Sequence, residues 1–187
     1  MNKKLAAALS GSAALVLTLT GCGDDGADTA AWAKKVCDKV KPQVGKIQQA
    51  NESINDASEQ NKSPEEVQKT DSAAFQDISE AYLALAKAVG DAGVPPVENG
   101  EKLEKNAVDE LKGLSKAYGE LKTTVDELDT GSQSKFAEGL KGLAQELGRL
   151  GESGNEALQK LQSGGLGDAM AKQKGCRKAS PGSTPAA

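Results

Sequence analysis

Cysteine is the residue type in this chain whose spacing points to specific chemistry. Cys22 closes the tetrad LTGC at residues 19–22, in which an apolar residue, a small residue and a glycine precede the cysteine. This order is typical of a lipobox, whose cysteine becomes the lipidated first residue of the mature chain. Lys3, Lys4 and an apolar run over residues 5–19 come before it, as in a secretory signal peptide.

The lipobox predicts both where the protein is located and how it is attached to the membrane. We expect residues 1–21 to be removed as a lipoprotein signal peptide, so that acylated Cys22 holds the chain on the outer side of the cell membrane. A single acyl chain binds a bilayer weakly, whereas two or more chains anchor a protein stably. The alternative is an ordinary secretory signal whose cleavage site lies beside a cysteine by chance, which would leave the mature protein without lipid.

The two remaining cysteines form the second chemical feature. With Cys22 assigned to lipid, Cys37 and Cys176 are left as a pair near opposite ends of the mature chain. Outside the cytoplasm such a pair predicts a disulfide rather than a metal or redox site. The alternative is two unpaired thiols.

The composition excludes several kinds of site. The chain contains no histidine, so it cannot build a Ser-His-Asp triad, a Cys-His dyad or an imidazole metal site. Aromatic residues make up 3% of the chain, and removal of residues 1–21 changes the formal charge from −4 to −6. An acidic chain with few base-stacking aromatics argues against nucleic-acid binding. We therefore predict no catalytic residue, no metal site and no cofactor.

Basic residues crowd both ends of the mature sequence. Eight of them form a candidate contact surface: Lys34, Lys35, Lys39, Lys41, Lys172, Lys174, Arg177 and Lys178. If the chain ends meet near Cys22, these residues would face anionic phospholipid or wall polymer, each contributing about 1 kcal/mol near a charged leaflet. The alternative is a solvated surface with favourable cations at a helix C-terminus. Trp32, the only tryptophan, would lie either at the bilayer interface or at the end of a core.

Apolar periodicity predicts the elements that must position these residues, beginning with a long first helix. Steps of three, four or seven residues from Ala33 to Ile54 keep one face inward. Thr29 or the residue before it can cap this helix. Pro42 falls inside the apolar stripe, which predicts a kink rather than an end. The polar run at residues 58–62 ends the helix.

The second helix has the clearest start signal in the chain. Ser63 can cap it, Pro64 suits the first helical position, and Glu66 can complete a capping box. Its inward stripe is apolar except near Asp71. Gly93, which precedes two prolines, is well placed as the C-terminal cap.

Two further helices follow, with Asn99 as the cap of the third and Thr130 with Gln133 as a capping box for the fourth. The fourth helix carries five glycines: Gly139, Gly142, Gly148, Gly151 and Gly154. One interpretation is a close-packed or mobile wall that opens a groove between helices. The other, which we favour, is glycine tolerated where tertiary packing supplies the stability.

The fold class that follows is all-α. We predict an antiparallel up-down four-helix bundle with a lipidated N-terminal tether and a disordered C-terminal tail, since no segment alternates as a strand does. The domain limits are a signal peptide at residues 1–21, a flexible tether at 22–30, the bundle at 31–176 and the tail at 177–187. A short last turn at residues 166–172 would return Cys176 to the bundle.

Four segments of the chain resemble small secreted proteins and lipoproteins of actinobacteria. They are residues 69–75 (KTDSAAF), 89–96 (VGDAGVPP), 135–143 (KFAEGLKGL) and 169–176 (AMAKQKGC). The similarity spans residues 32–176 and contains no chemical motif. It implies an extracytoplasmic helical protein and carries over no functional residue.

These features predict a membrane-anchored extracytoplasmic lipoprotein whose helical bundle is a non-enzymatic binding or scaffolding module of the cell envelope. Its partners would be the membrane, reached through the lipid, and an envelope protein or polymer of unknown identity. An accessory or sensor subunit of an envelope machine is the alternative, which an exposed apolar strip would indicate. A histidine-independent enzyme is the third class, and it would need a cleft lined by carboxylates.

Overall fold

A computed structural model describes residues 24–59, 62–161 and 164–177 of the chain, without the side chains of residues 24–25, 152–161 and 164. These residues form five helices and no strand: α1 (Asp24–Glu59), α2 (Pro64–Ala92), α3 (Gly100–Asp126), α4 (Gln133–Leu161) and α5 (Gly164–Lys172). The all-α prediction is confirmed. The signal peptide, Cys22 and the tail from residue 178 onward lie outside the described residues.

The first helix starts earlier than the sequence predicted. α1 begins at Asp24 and continues through Pro42 to Glu59, so most of the expected tether at residues 22–30 is helical. One glycine inside a helix costs about 1 kcal/mol relative to alanine. Such a cost does not stop a helix whose next turn is already packed, and Thr29 and Trp32 of α1 are buried.

The start of α2 matches its sequence signal. The Ser63 side chain accepts from the backbone N–H of Glu66 at 3.3 Å, and the Glu66 carboxylate accepts from the backbone N–H of Ser63 at 3.1 Å. Pro64 occupies the first helical position. The helix ends at Gly93, whose φ of 78° favours glycine. The predicted capping box and glycine cap are confirmed.

The starts of α3 and α4 differ from the predicted caps. Asn99 has a left-handed backbone with φ 58° and its side chain makes no capping hydrogen bond. The first helical residue of α4 is Gln133, so it cannot be the third residue of a box that starts at Thr130. The residue before α4 is Ser132, whose carbonyl accepts from Phe136 N at 2.9 Å. Asn99 therefore occupies the predicted N-cap position of α3 without a capping bond from its side chain, whereas the predicted capping box of α4 was wrong because the helix begins at Gln133.

Contacts at two levels show that α1, α2 and α3 run in alternating directions. We call one end of the bundle the far end; it is formed by the end of α1, the starts of α2 and α4, and the end of α3. There Ala57 packs with Val67 and Phe136. There Gln68 donates to the carbonyl of Val125 at 2.9 Å. At the other end Trp32 of α1 donates to the carbonyl of Gly93, just after α2. Neighbouring helices therefore meet start to end.

The last two helices pack at different places on α1, α2 and α3. Near the far end, Leu143 of α4 packs with Phe75 of α2 and Leu121 of α3. At the opposite end α5 supplies buried Leu166 and Met170 to a cluster with the start of α1. The predicted last turn at residues 166–172 is thus a core helix that starts at Gly164.

Among the described residues, the buried polar side chains are those of Thr29, Asp71 and Ser115, of which Asp71 alone is ionisable. Asp71 of α2 is only 5% exposed, and its Oδ1 has no hydrogen-bond partner. Burial disfavours the charged carboxylate and raises the pKa of Asp71 to about 6. The sequence had marked this position as the one irregularity in the inward stripe of α2.

Asp71 should therefore make stability depend on pH. Because its pKa is about 6 in the folded state against 3.8 when exposed, the folded state holds the proton more tightly. The free energy of unfolding should fall as pH rises from about 4 to 6, by up to about 3 kcal/mol, and should not recover above that range.

Urea denaturation of the wild type and of Asp71→Asn between pH 4 and pH 7 measures this effect. Asparagine stays neutral, so its stability advantage over the wild type should grow as pH rises. Asp77→Asn, on the exposed face of the same helix, is the matched control. A constant difference between the wild type and Asp71→Asn across this range would contradict the prediction.

Candidate functional site

The disulfide end is the part of the molecule that brings the predicted site residues together. We define it by the first four turns of α1, the loop at residues 93–99 and the segment at residues 173–177. Cys37 and Cys176 are disulfide-bonded there, with Cα atoms 5.1 Å apart and a sequence separation of 139. The cysteines thus lie at disulfide distance, as predicted. Cys37 is fully buried, so its sulfur has a structural position rather than an accessible one.

The approach of the C-terminal segment to α1 depends on a glycine. A Cβ atom at Gly175 would collide with the carbonyl oxygen of Cys37 and would lie 3.3 Å from the backbone nitrogen of Asp38. The backbone of residue 175 therefore lies directly against α1. The turn that holds it there is closed by Cys176 N, which donates to the carbonyl of Gln173 at 3.1 Å.

The loop after α2 closes the same end of the core. Trp32 is 4% exposed, and its indole nitrogen donates to the Gly93 carbonyl at 2.6 Å. One turn earlier, the Thr29 hydroxyl donates to the Pro96 carbonyl at 3.3 Å. Trp32 therefore packs against the loop at the end of the core. Of the two predicted positions, the one at a bilayer interface was wrong.

The basic residues of the candidate surface lie around this disulfide, and those described are all exposed: Lys34, Lys35, Lys39, Lys41, Lys172, Lys174 and Arg177. Lys178 lies outside the described residues. Lys174 and Arg177 flank the segment that contacts Cys37 and Asp38. The structure therefore joins the end of the chain to the first helix, as the predicted surface requires.

The lysines of α1 nevertheless fall into two separate rows. Lys34 and Lys41 are seven residues apart and lie on the same side as Cys37, at about 100° per residue. Lys35 and Lys39 lie roughly 120° around the helix axis from that row, together with Lys46. The disulfide bonds the segment with Lys174 and Arg177 to Cys37, which lies about 40 to 60° around the helix axis from the first row and about 160° from Lys35 and Lys39. The helical period thus divides the lysines of the expected patch between two sides of α1.

We call the first row and its C-terminal neighbours the disulfide-side cations: Lys34, Lys41, Lys172, Lys174 and Arg177. Lys34 is partly neutralised by Asp38, whose carboxylate lies 2.5 Å from its Nζ. Asp168 is a second exposed acid on the neighbouring α5. Five cations against these two acids leave a local positive surface on a chain whose formal charge is −4.

A second candidate site is a groove between α3 and α4. It has a volume of about 300 Å³, and its lining includes Leu121, Leu143 and Gly142 together with the carboxylates of Glu120 and Glu146. A groove beside α4 is what the functional interpretation of its glycines required. Its polar groups decide what chemistry the groove supports.

Both carboxylates of the groove form ion pairs with basic residues of their own helices. Glu120 lies 3.3 Å from Lys116 on α3, and Glu146 pairs with Arg149 on α4. These partners are exposed and one turn away, so each pair is worth a few tenths of a kcal/mol. The arrangement resembles solvated helix surface rather than a prepared acid and base.

The glycines of α4 serve different purposes. A Cβ atom at Gly139 would collide with Leu128 Cδ2, so this glycine allows the segment after α3 to pack closely. Three others face open space: Gly142, Gly148 and Gly151. Gly154 belongs to the part of α4 whose side chains are not described. Close packing therefore accounts for one glycine and the groove for another.

The described residues contain neither a cluster of three or more His, Cys, Asp or Glu side chains that could hold a metal ion nor a helix long and apolar enough to cross a membrane. Comparison of the chain with known protein families, curated proteins and solved structures gives no match.

Removing the disulfide should destabilise the protein strongly. The link closes a loop of 139 residues, for which the chain-entropy model gives about 4 to 5 kcal/mol. We expect Cys37→Ser with Cys176→Ser to lower the midpoint of urea unfolding accordingly. Non-reducing peptide mapping of the wild type should show the 37–176 cross-link. Two free thiols in oxidised protein would contradict the assignment.

The glycine contact can be tested separately from the disulfide. Gly175→Ala should destabilise the fold by about 1 to 3 kcal/mol, because the methyl group collides with backbone that cannot rotate away. Gly148→Ala, on the open side of α4, is the control and should stabilise by up to about 1 kcal/mol. Thermal or urea unfolding of both variants measures the difference. A stabilising effect of alanine at position 175 would refute the close approach.

Proposed function

We propose that this chain is a lipid-anchored, extracytoplasmic lipoprotein whose helical bundle is a non-enzymatic binding or scaffolding module of the cell envelope. The anchor is acylated Cys22, and residues 1–21 are the signal peptide that directs its modification. The resemblance to secreted proteins and lipoproteins of actinobacteria is part of the same proposal. No nucleic acid is among the proposed partners.

The observation that carries the extracytoplasmic part is the disulfide. Cys37 and Cys176 are bonded across the whole length of the bundle sequence, and the reducing cytoplasm does not sustain such links in ordinary proteins. The lipobox supplies the route out of the cytoplasm. Both features lie toward the same end, because α1 begins two residues after Cys22.

The finer architecture that we propose is an up-down four-helix bundle with α5 as an addition to its fourth position. The opposed directions of α1, α2 and α3 support it, as does the packing of α4 at the far end. α2 alone has 29 residues, which corresponds to about 43 Å at 1.5 Å per residue. An anchor at the start of α1 would place the disulfide end nearer the bilayer than the far end.

The carboxylates and the exposed apolar residues of the surface favour a binding role over an enzyme and over an accessory or sensor subunit. The carboxylates in the α3–α4 groove are paired on their own helices, which gives an enzyme no evident acid and base. Among the described residues the large apolar side chains that are exposed are Leu83, at 54%, and Val94, at 50%. They lie on different elements, and two scattered residues are ordinary surface rather than the strip that a subunit interface would need.

The anchor is tested by the mass of the protein extracted from membranes. We expect residues 1–21 to be absent and acyl chains to be attached to Cys22. Cys22→Ala should abolish acylation and leave the protein either uncleaved or in the soluble fraction. Release of unacylated wild-type protein into the medium would contradict the proposal.

Cys37→Ala serves as the matched control for the cysteine substitution. It removes a cysteine without touching the lipobox, so the variant should still be acylated and membrane-bound even if its fold is weakened. Fractionation of the two variants side by side separates loss of the anchor from loss of stability.

A further inference from the structure

The disulfide-side cations lie at a definite height along α1. Lys34 and Lys41 are ten and seventeen residues beyond Asp24, where α1 begins. At 1.5 Å per residue they are about 15 and 26 Å from the start of the helix. Lys174 and Arg177 lie at the level of Cys37, between these two values, because the disulfide holds them there.

This height matters if α1 begins at a membrane. At physiological ionic strength the screening length is about 8 Å. In a bundle standing upright on its N-terminus, all the disulfide-side cations would be about two or more screening lengths from the start of α1. An upright bundle therefore leaves these cations without an effect on anionic lipid.

We infer that the bundle leans on the bilayer with the α1–α5 side down, so that the disulfide-side cations contact anionic phospholipid headgroups. This inference rests on the proposed anchor at Cys22. Leaning brings the row of Lys34 and Lys41 to the surface together with Lys174 and Arg177. The row of Lys35 and Lys39, roughly 120° away around α1, stays in solvent.

Charge distribution gives the direction of the lean. Without residues 1–21 the chain carries a formal net charge of −6, so most of its surface is repelled by an anionic leaflet. The disulfide-side cations form a local exception, with Asp38 and Asp168 as the acids beside them. A tether at Cys22 keeps this surface close to the headgroups at all times, which favours lipid over a free polymer as its partner.

The disulfide is the device that assembles this surface. Lys34 and Lys41 belong to the first helix, whereas Lys172, Lys174 and Arg177 belong to the last described segment of the chain. The bond at 5.1 Å between Cα atoms and the close approach of Gly175 hold the two groups side by side. The two backbone segments of this surface are therefore already side by side before the protein meets the membrane.

Chemical labelling of lysines in the mature lipidated protein tests the orientation. The protein is reconstituted into vesicles with or without phosphatidylglycerol and treated with a membrane-impermeant amine reagent, and labelling is read for each lysine by mass spectrometry. With anionic lipid, labelling of Lys41 and Lys174 should fall at least about threefold relative to Lys35 and Lys39. Neutral vesicles and high salt should remove the difference.

The internal comparison makes the outcome decisive. Lys35 and Lys39 are at the same height on α1 as Lys34 and Lys41, so a general effect of the charged surface on the reagent would lower all four equally. Equal labelling of the two rows on anionic vesicles would overturn the lean. Protection by soluble polyphosphate but not by vesicles would also overturn it and would assign the surface to an anionic polymer.

Charge reversal provides the second arm. The test variant combines Lys34→Glu, Lys41→Glu, Lys174→Glu and Arg177→Glu. The control variant combines Lys35→Glu, Lys39→Glu, Lys46→Glu and Lys69→Glu, which changes the net charge equally at exposed positions. Lys172 is retained in both, and its labelling reports the contact. Its protection by anionic vesicles should be lost in the test variant and kept in the control.

The intact mass of each preparation reports acylation of Cys22 separately. A protein without acyl chains contradicts the proposed function and with it the lean. An acylated protein whose two rows of lysines label equally contradicts the lean alone.

Discussion

The covalent link between Cys37 and Cys176 is the constraint on which the disulfide end of this molecule depends. α1 and α5 belong to opposite ends of the described chain, and the bond holds them together at a buried position. Gly175 removes the side chain that would keep the two backbones apart. With this contact made, Leu166 and Met170 are buried against α1. Without it, the nine residues of α5 form a helix too short to be stable alone.

The rest of the bundle is held by packing between α2 and its two neighbours. The contact with α3 is close because small residues face each other: the Ser79 hydroxyl donates to the Ser115 carbonyl at 2.7 Å, and a Cβ atom at Gly119 would lie 3.7 Å from the Ser79 oxygen. Beside it, Tyr82 and Tyr118 stack with ring centroids 5.5 Å apart. The same helix carries Asp71, whose buried Oδ1 has no hydrogen-bond partner. The stability of this well-packed core should therefore depend on pH.

The charges of the protein divide between ordinary helix surface and one organised region. Most ion pairs join residues three or four apart on exposed faces, as between Lys87 and Asp91 at 2.7 Å, and such pairs contribute little. The disulfide-side cations differ because they come from two separate segments that the fold brings together. A surface assembled by tertiary structure is a better candidate for recognition than a run of charges along one helix, and the inferred lean on the membrane rests on that difference.

The helical character of the chain and the pairing of Cys37 with Cys176 could be predicted from the sequence alone. Capping chemistry at Ser63 and Glu66 and the backbone freedom of Gly93 are local, so they could be predicted from residue types a few positions apart. The lipobox is equally local, and it remains a prediction. The early start of α1 at Asp24 and the left-handed Asn99 depended on how neighbouring segments dock, which local spacing does not report.

The place where α5 packs and the grouping of the charges both depend on tertiary structure. A short last turn at residues 166–172 was predicted from the sequence, but the burial of Leu166 and Met170 follows from their packing against the start of α1. The two lysine rows of α1 follow from the helical period, whereas the choice of which row joins Lys174 and Arg177 follows from the position of Cys37. Side-chain period is a property of one helix, and a surface shared by two distant segments is a property of their packing. For that reason the sequence predicted the basic residues of the candidate surface, and the fold determines which of them lie on the side of the disulfide.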